Sequence, residues 1–247
     1  MQAFGGPVLL DDGDGQDLLS AASAADDIAR VSAILSAMDG QGPGSLRLYR
    51  PKATAAFAPR DTALPAYAEA AAAMRHLGFT PAERRAGGQL AVYDRNALVI
   101  DLIAPHQEPR NSVTQRFAMF SAAIATALKG FRVDARVGQV PGEYCPGDYS
   151  VNAGGTLKLA GVAQRIGRRG YHMGAVISVH PSAPARQAVA TAYAILGFPF
   201  APESFGAVST LAPDAAFADL RAALAGEISQ LIGIAGTTPP AGWRSST

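Results

Sequence analysis

The runs that alternate like strands in this sequence are crowded into its middle, and helical runs lie before, among and after them. Residues 45–50 (SLRLYR) alternate apolar and polar, and residues 53–58 read as a second short strand ended by Pro59. Residues 89–93 and 97–103 are strand-like on either side of Asp94-Arg95-Asn96, a turn chemistry that suits a tight hairpin. Further strands are predicted over 132–137, 149–152, 157–166 and 171–180. Helices are predicted over 17–38, 65–77 (stopped at Gly78), 112–128, 183–196 and 215–232, where apolar residues recur at spacings of three and four. Consecutive strand pairs imply a mixed, mostly antiparallel sheet flanked by helices, an α+β class. No internal repeat and no long linker divides the chain, so residues 1–247 are expected to form a single domain. Residues 1–15, rich in Gly and Asp, and the tail 236–247 are expected to be flexible.

Composition narrows the function. Hydrophobic residues make up 49% of the 247 and charged residues 17%, which excludes intrinsic disorder. Twenty-one basic residues against 20 acidic ones leave a net charge of +1, so no bulk electrostatic case exists for nucleic acid or a membrane surface. The first fourteen residues lack a basic stretch, and no signal peptide is expected. The lone Cys145 precludes an intramolecular disulfide and fits a reducing, cytoplasmic setting. The four histidines show no metal-binding spacing, so no metal is expected. Lysine occurs only at 52, 129 and 158, the other 18 basic residues being arginine, so a retained lysine invites a reason.

Three segments could carry chemistry. In Arg84-Arg85-Ala86-Gly87-Gly88-Gln89, a glycine pair beside two arginines could bring a backbone close to a ligand carrying carboxylate or phosphate. A plain turn with two solvated arginines is the simpler account of the pattern. Cys145 sits in a Pro/Gly loop between Pro141 and Pro146, where a reactive thiol and a bystander are both open. Lys158 alternates with Leu157 and Leu159 along a predicted strand, a pattern that ordinarily gives a solvated lysine. The small residues Ala160, Gly161 and Ala163 after it leave room for something to lie against the strand. His172 reads as a structural strand histidine.

Taken in order, these segments resemble the lipoate–protein ligase and octanoyltransferase superfamily. The likeness begins near Leu46 (RLYRPKATAAFAPRD), passes through residues 84–94 (RRAGGQLAVYD) and reaches Val179, about half the chain. Arg84, Arg85, Ala86, Gly87 and Gly88 match its basic-pair and glycine motif, with Gln89 where a third glycine is common. Lys158, Gly161, Ala163 and Gln164 match its Lys-x-x-Gly-x-Ala-Gln motif. Cys145, in Tyr144-Cys-Pro-Gly-Asp-Tyr149, resembles the branch that moves octanoyl groups from the glycine-cleavage H protein to 2-oxoacid dehydrogenases. Relatives often have His-Gly in the following strand. Here Met173 precedes Gly174, and His172, displaced by one, inherits no role.

The resemblance implies a biotin/lipoyl protein ligase-like fold and an octanoyl/lipoyl acyltransferase active in protein lipoylation. Cys145 would form the thioester, and Lys158 would bond the acyl oxygen. Gly87 and Gly88 would wall an acyl tunnel, and Arg84 or Arg85 would position the carrier. Gly161, Ala163 and Gln164 would border the substrate. The donor would be the glycine-cleavage H protein or acyl carrier protein, and the acceptors lipoyl domains, with Arg165, Arg168 and Arg169 as a complementary basic patch. No cofactor is expected. An ATP- and Mg²⁺-dependent lipoate–protein ligase and a non-catalytic relative that binds lipoyl proteins are the alternatives.

Overall fold

The computed structural model describes residues 8–11, 23–41 and 44–232. Parts of the expected flexible ends and of the first predicted helix lie outside the described residues. In chain order the elements are β1 (Val8–Asp11), α1 (Ala24–Ala37), β2 (Gly44–Tyr49), β3 (Thr54–Phe57), α2 (Pro59–Thr62), α3 (Tyr67–His76), β4 (Thr80–Glu83) and β5 (Ala91–Tyr93). Then come β6 (Ala97–Pro105), α4 (Val113–Lys129), β7 (Ala135–Val137), β8 (Val151–Ala153), β9 (Leu157–Ile166) and β10 (Gly170–Ser178). The chain closes with α5 (Ala183–Leu196), α6 (Val208–Leu211) and α7 (Phe217–Ile232). No helix among the described residues is long and apolar enough to cross a membrane.

Two sheets result. The larger has seven strands in the order β1-β2-β6-β10-β9-β8-β7; the smaller has three, β4-β3-β5. Only β1–β2 and β3–β4 pair in parallel, so the expected mixed and mostly antiparallel class holds. Val8–Asp11, expected to fray, is instead a strand, in register with residues 44–47 of β2.

The expected hairpin between β5 and β6 does not form. β5 pairs with β3 in the small sheet, whereas β6 lies between β2 and β10 in the large one. The turn itself is there: Asp94 Oδ1 accepts from Asn96 N–H at 2.8 Å, and the Asp94 carbonyl from Ala97 N–H at 2.8 Å. Its remaining bonding capacity is spent outward. Asp94 Oδ2 accepts from Ser182 Oγ at 2.6 Å, and the Asn96 carbonyl accepts from the N–H groups of Val179 and His180. The turn therefore carries the chain from one sheet to the other. Consecutive strands do pair antiparallel further on, as β7–β8, β8–β9 and β9–β10.

Every residue of β6 is buried, because α4 and α7 cover one face and α1 and the small sheet approach the other. Leu98, Ile100, Leu102 and Ala104 face the main core with Phe120, Ile124 and Leu128 of α4. A second core gathers α3, α5 and the small sheet around Met74, Phe57, Leu90 and Tyr193. α5 has the predicted bounds: Ser182 Oγ accepts from Ala185 N–H at its start, and Gly197, at φ +75°, ends it. Leu102 is fully buried at the centre of the large sheet. Leu102→Ala should therefore lower unfolding free energy by about 2–5 kcal/mol, the range for truncating a core leucine, read from the urea midpoint.

Candidate active site

Cys145 lies in the loop between β7 and β8 with φ at +44°, a left-handed conformation that a side chain resists. Several groups hold it there. Its N–H donates to Tyr193 Oη at 2.6 Å, and that hydroxyl donates in turn to the Leu90 carbonyl at 3.0 Å. Lys158 Nζ donates to the carbonyls of Tyr144 and Cys145, each at 2.8 Å. Glu143 Oε1 accepts from Gly147 N–H at 3.0 Å and Ser150 Oγ at 2.8 Å. The loop is thus fastened to β9, to α5 and to itself.

The thiol faces the segment between β4 and β5. Its Sγ accepts from Gln89 N–H at 3.2 Å and lies 3.7 Å from Arg84 Nη2. The same Nη2 donates to the Gln89 carbonyl at 2.8 Å, so Arg84 also fixes the residue whose N–H meets the sulfur. Gly88, at φ +99°, is where the chain passes beneath the thiol; a Cβ there would stand 2.8 Å from Sγ. Gly87 has nothing within 4 Å of a notional Cβ. The two glycines therefore do different things: Gly88 makes room for the sulfur, and Gly87 is an exposed turn residue. Gln89 contributes its backbone here, so a third glycine is not required for the contact.

Lys158 is not the solvated strand lysine that alternation suggests. It is 1% exposed, covered by the Cys145 loop and by residues 205–206, to which β9 also bonds. Its Nζ is 3.6 Å from Glu143 Oε2 and 4.6 Å from the centre of the Tyr144 ring. Burial pushes its pKa down, opposed by the charges of Cys145 and Glu143. Gly161 sits beside it with no side chain, where a Cβ would lie 3.4 Å from Lys158 Cε.

Cys145 and Lys158 open on one mainly apolar chamber of roughly 880 Å³, its mouth included. Both sheets and α1 line it: Ala56 and Ala91 from the small sheet, Val99 and Val176 from the large one, Ile28 and Val31 from the helix. Ala86, Gly161 and Ala163 also face it, as do Arg84, Arg85 and Arg165. Gln164 does not. The β-pleat turns it to the other face of β9, where its amide meets Met173 Sδ and Arg116. His172, set aside on sequence, does line the chamber and bonds Asp101 Oδ1 through Nε2 at 2.8 Å. Asp101 is the one charged residue inside the apolar run ALVIDLIAP, which was the signal available for it. Glu143 and Tyr193 carried no comparable signal. Of the expected basic patch, Arg165 adjoins Arg85, and burial and that neighbour push its pKa down. Arg168 is exposed, and Arg169 is turned toward Gln107.

Comparisons with known proteins bear on the family and on the fold. The family model described as the lipoyl protein ligase A/B catalytic domain matches residues 24–198. A Geobacillus kaustophilus protein named octanoyl-[GcvH]:protein N-octanoyltransferase is 31% identical over 147 residues, 60% of this chain and 52% of the relative. An Anoxybacillus flavithermus protein of the same name is 29% identical over the same length and coverage. The chain spans about half the length of the curated relatives it matches. Among solved structures, the bi-partite lipoate protein ligase of Thermoplasma acidophilum, described with its E2 lipoyl domain, superposes with a TM-score of 0.69. It is 18% identical and covers 96% of this chain and 87% of its own, a likeness of fold.

The unequal glycines give a test. Gly88→Ala should displace the thiol or the Arg84 side chain and slow alkylation of Cys145 at least tenfold, about the effect of 1.4 kcal/mol on a barrier. Gly87→Ala should leave alkylation and melting temperature unchanged. Equal effects from the two variants would show that the close approach at Gly88 does not matter.

Proposed function

This chain belongs to the lipoyl protein ligase A/B catalytic-domain family, and on that premise we propose that it is an octanoyl/lipoyl acyltransferase working through a thioester on Cys145. It takes the acyl group from a carrier protein and delivers it to the target lysine of a lipoyl domain. The observation that carries this reading is a thiol aimed at the mouth of an apolar chamber, with Gln89 N–H and the Arg84 guanidinium on its sulfur. The names of the curated relatives support octanoyl transfer.

The chemistry divides into two acyl transfers. The Cys145 thiolate attacks the donor carbonyl; a C–S bond forms, the bond to the donor breaks, and the donor's amine or thiol leaves with a proton. The acceptor lysine amine then attacks the thioester; a C–N bond forms, a proton leaves the nitrogen and the thiolate is released. Positive charge on Arg84 and the N–H of Gln89 favour the anionic sulfur at both ends of the cycle. Lys158 commits two directions to loop carbonyls, and in the proposed reaction its third N–H, which rests 3.6 Å from Glu143 Oε2, turns to the acyl oxygen. An acyl group that arrives as a thioester is already activated, and exchange of one amide for another is nearly isoenergetic, so the proposed reaction uses no nucleotide. Arg85, Arg165 and Arg168 would meet an acidic partner surface electrostatically.

The test is intact-mass spectrometry with an octanoylated carrier and a lipoyl domain, with and without ATP·Mg²⁺. An octanoyl adduct on Cys145 followed by acceptor modification, independent of nucleotide, is expected. Cys145→Ala should abolish both. Lys158→Ala should cost roughly 10²- to 10³-fold in rate, the scale of one lost oxyanion donor. Lys158→Arg should also be poor, since a planar fork does not fit a point-donor site. Modification that appears only with free acid and ATP would instead make the chain a ligase, and near-wild-type transfer by Cys145→Ala would eliminate the thioester.

A further inference from the structure

Glu143 is a carboxylate 2% exposed to solvent, two residues before the thiol, and the reaction as written makes no use of it. Burying a charge is expensive unless it is paired and bonded. Its two oxygens are divided in purpose. Oε1 accepts from Gly147 N–H and Ser150 Oγ, both in the Cys145 loop. Oε2 has no hydrogen-bond donor of its own and stands 3.6 Å from Lys158 Nζ.

Lys158 needs an anion more than it needs hydrogen bonds. The Tyr144 and Cys145 carbonyls satisfy two of its protons but bring no net charge. The charged or titratable groups that face it are the Cys145 thiol, Glu143, the Arg84 guanidinium and the Tyr144 phenol. Arg84 opposes its charge; Cys145 and Glu143 favour it. Cys145 can do so only as a thiolate. Once acylated, its sulfur is neutral, and Glu143 is then the one anion of that group still facing the lysine. The second transfer, from thioester to acceptor amine, also develops negative charge on the acyl oxygen.

We propose that Glu143 is a positioning residue of this site: one carboxylate that fastens the Cys145 loop and keeps the Lys158 ammonium charged while the enzyme carries its acyl group. The charge-holding half stands on the geometry; its consequence for turnover rests on the acyltransferase reading. Glu143→Gln separates the two functions of the carboxylate, since the amide oxygen still accepts from Gly147 N–H and Ser150 Oγ while the charge is gone.

The scarcity of lysine makes the test direct. Carbon-13-labelled lysine gives three side-chain signals, from Lys52, Lys129 and Lys158, and Lys158→Arg assigns the third. The titration is run on Cys145→Ser, whose uncharged side chain stands in for the acylated sulfur. In that background, adding Glu143→Gln should lower the Lys158 pKa by at least about one unit, a tenfold change in proton affinity, as for loss of an opposite charge at this range. Glu143→Asp should keep most of it. An unchanged Lys158 titration in a folded Glu143→Gln protein overturns the proposal, and so does an equal loss in Asp and Gln. If Glu143→Gln does not fold, Cys145→Ser alone decides: Lys158 must be an ammonium at neutral pH, and a neutral amine there defeats the idea. None of these readouts depends on acyl transfer. With Cys145 intact, single-turnover kinetics should show Glu143→Gln slowing aminolysis of the thioester more than its formation. Equal slowing of both steps would mean that the residue only holds the loop.

Discussion

The contact on which the rest of the site depends is the buried ammonium of Lys158 with the carbonyls of Tyr144 and Cys145. It joins the start of β9 to a loop that has almost no regular structure of its own. A positive φ at a non-glycine residue persists only when its surroundings over-determine it. Here the N–H of Cys145 is held by Tyr193, its carbonyl by Lys158, and the residues after it by Glu143. The thiol is set by its backbone first, and its side chain then has little choice of direction.

The same economy explains why so few residues are needed on the thiol itself. Arg84 touches both the sulfur and the carbonyl of the residue that donates to it, and Tyr193 ties the thiol's backbone to Leu90, the next residue along. The segment 84–90 and the loop 143–150 are thereby one unit, although some sixty residues separate them in sequence. The chamber behind them is mainly apolar, with Asp101 and His172 bonded to each other on one wall and Arg84, Arg85, Arg165 and Lys158 also facing it.

Much of this was legible in the residues, and the misses have physical causes. Arg84, Arg85, Ala86, the loop cysteine and Lys158 converge on one chamber, whereas Gly87 and Gly88, expected to wall it, do not line it, and Gln164 lies on the reverse of its strand. Strand alternation assigned Lys158 to solvent because it presumes one open face; β9 has none at that position, since a loop closes over it. β4 went unseen because Pro81 reads as a breaker, yet proline is tolerated on a strand at the edge of a three-stranded sheet. The turn at Asp94 has local chemistry that a hairpin would also use, and which strand pairs with which is decided far away in sequence. Glu143 and Tyr193 matter only through contacts that no spacing encodes.

The crossing of the chain between sheets at Asp94–Asn96 has a mechanical consequence. The sulfur's neighbours come from the connection between β4 and β5 in the small sheet, and Lys158 comes from the large one. Neither sheet alone contains a complete site. Reactivity at Cys145 therefore gauges how the two sheets are seated against each other, as a vernier reads the offset of two scales. A disturbance confined to the small sheet would blunt the thiol while the main core stayed folded.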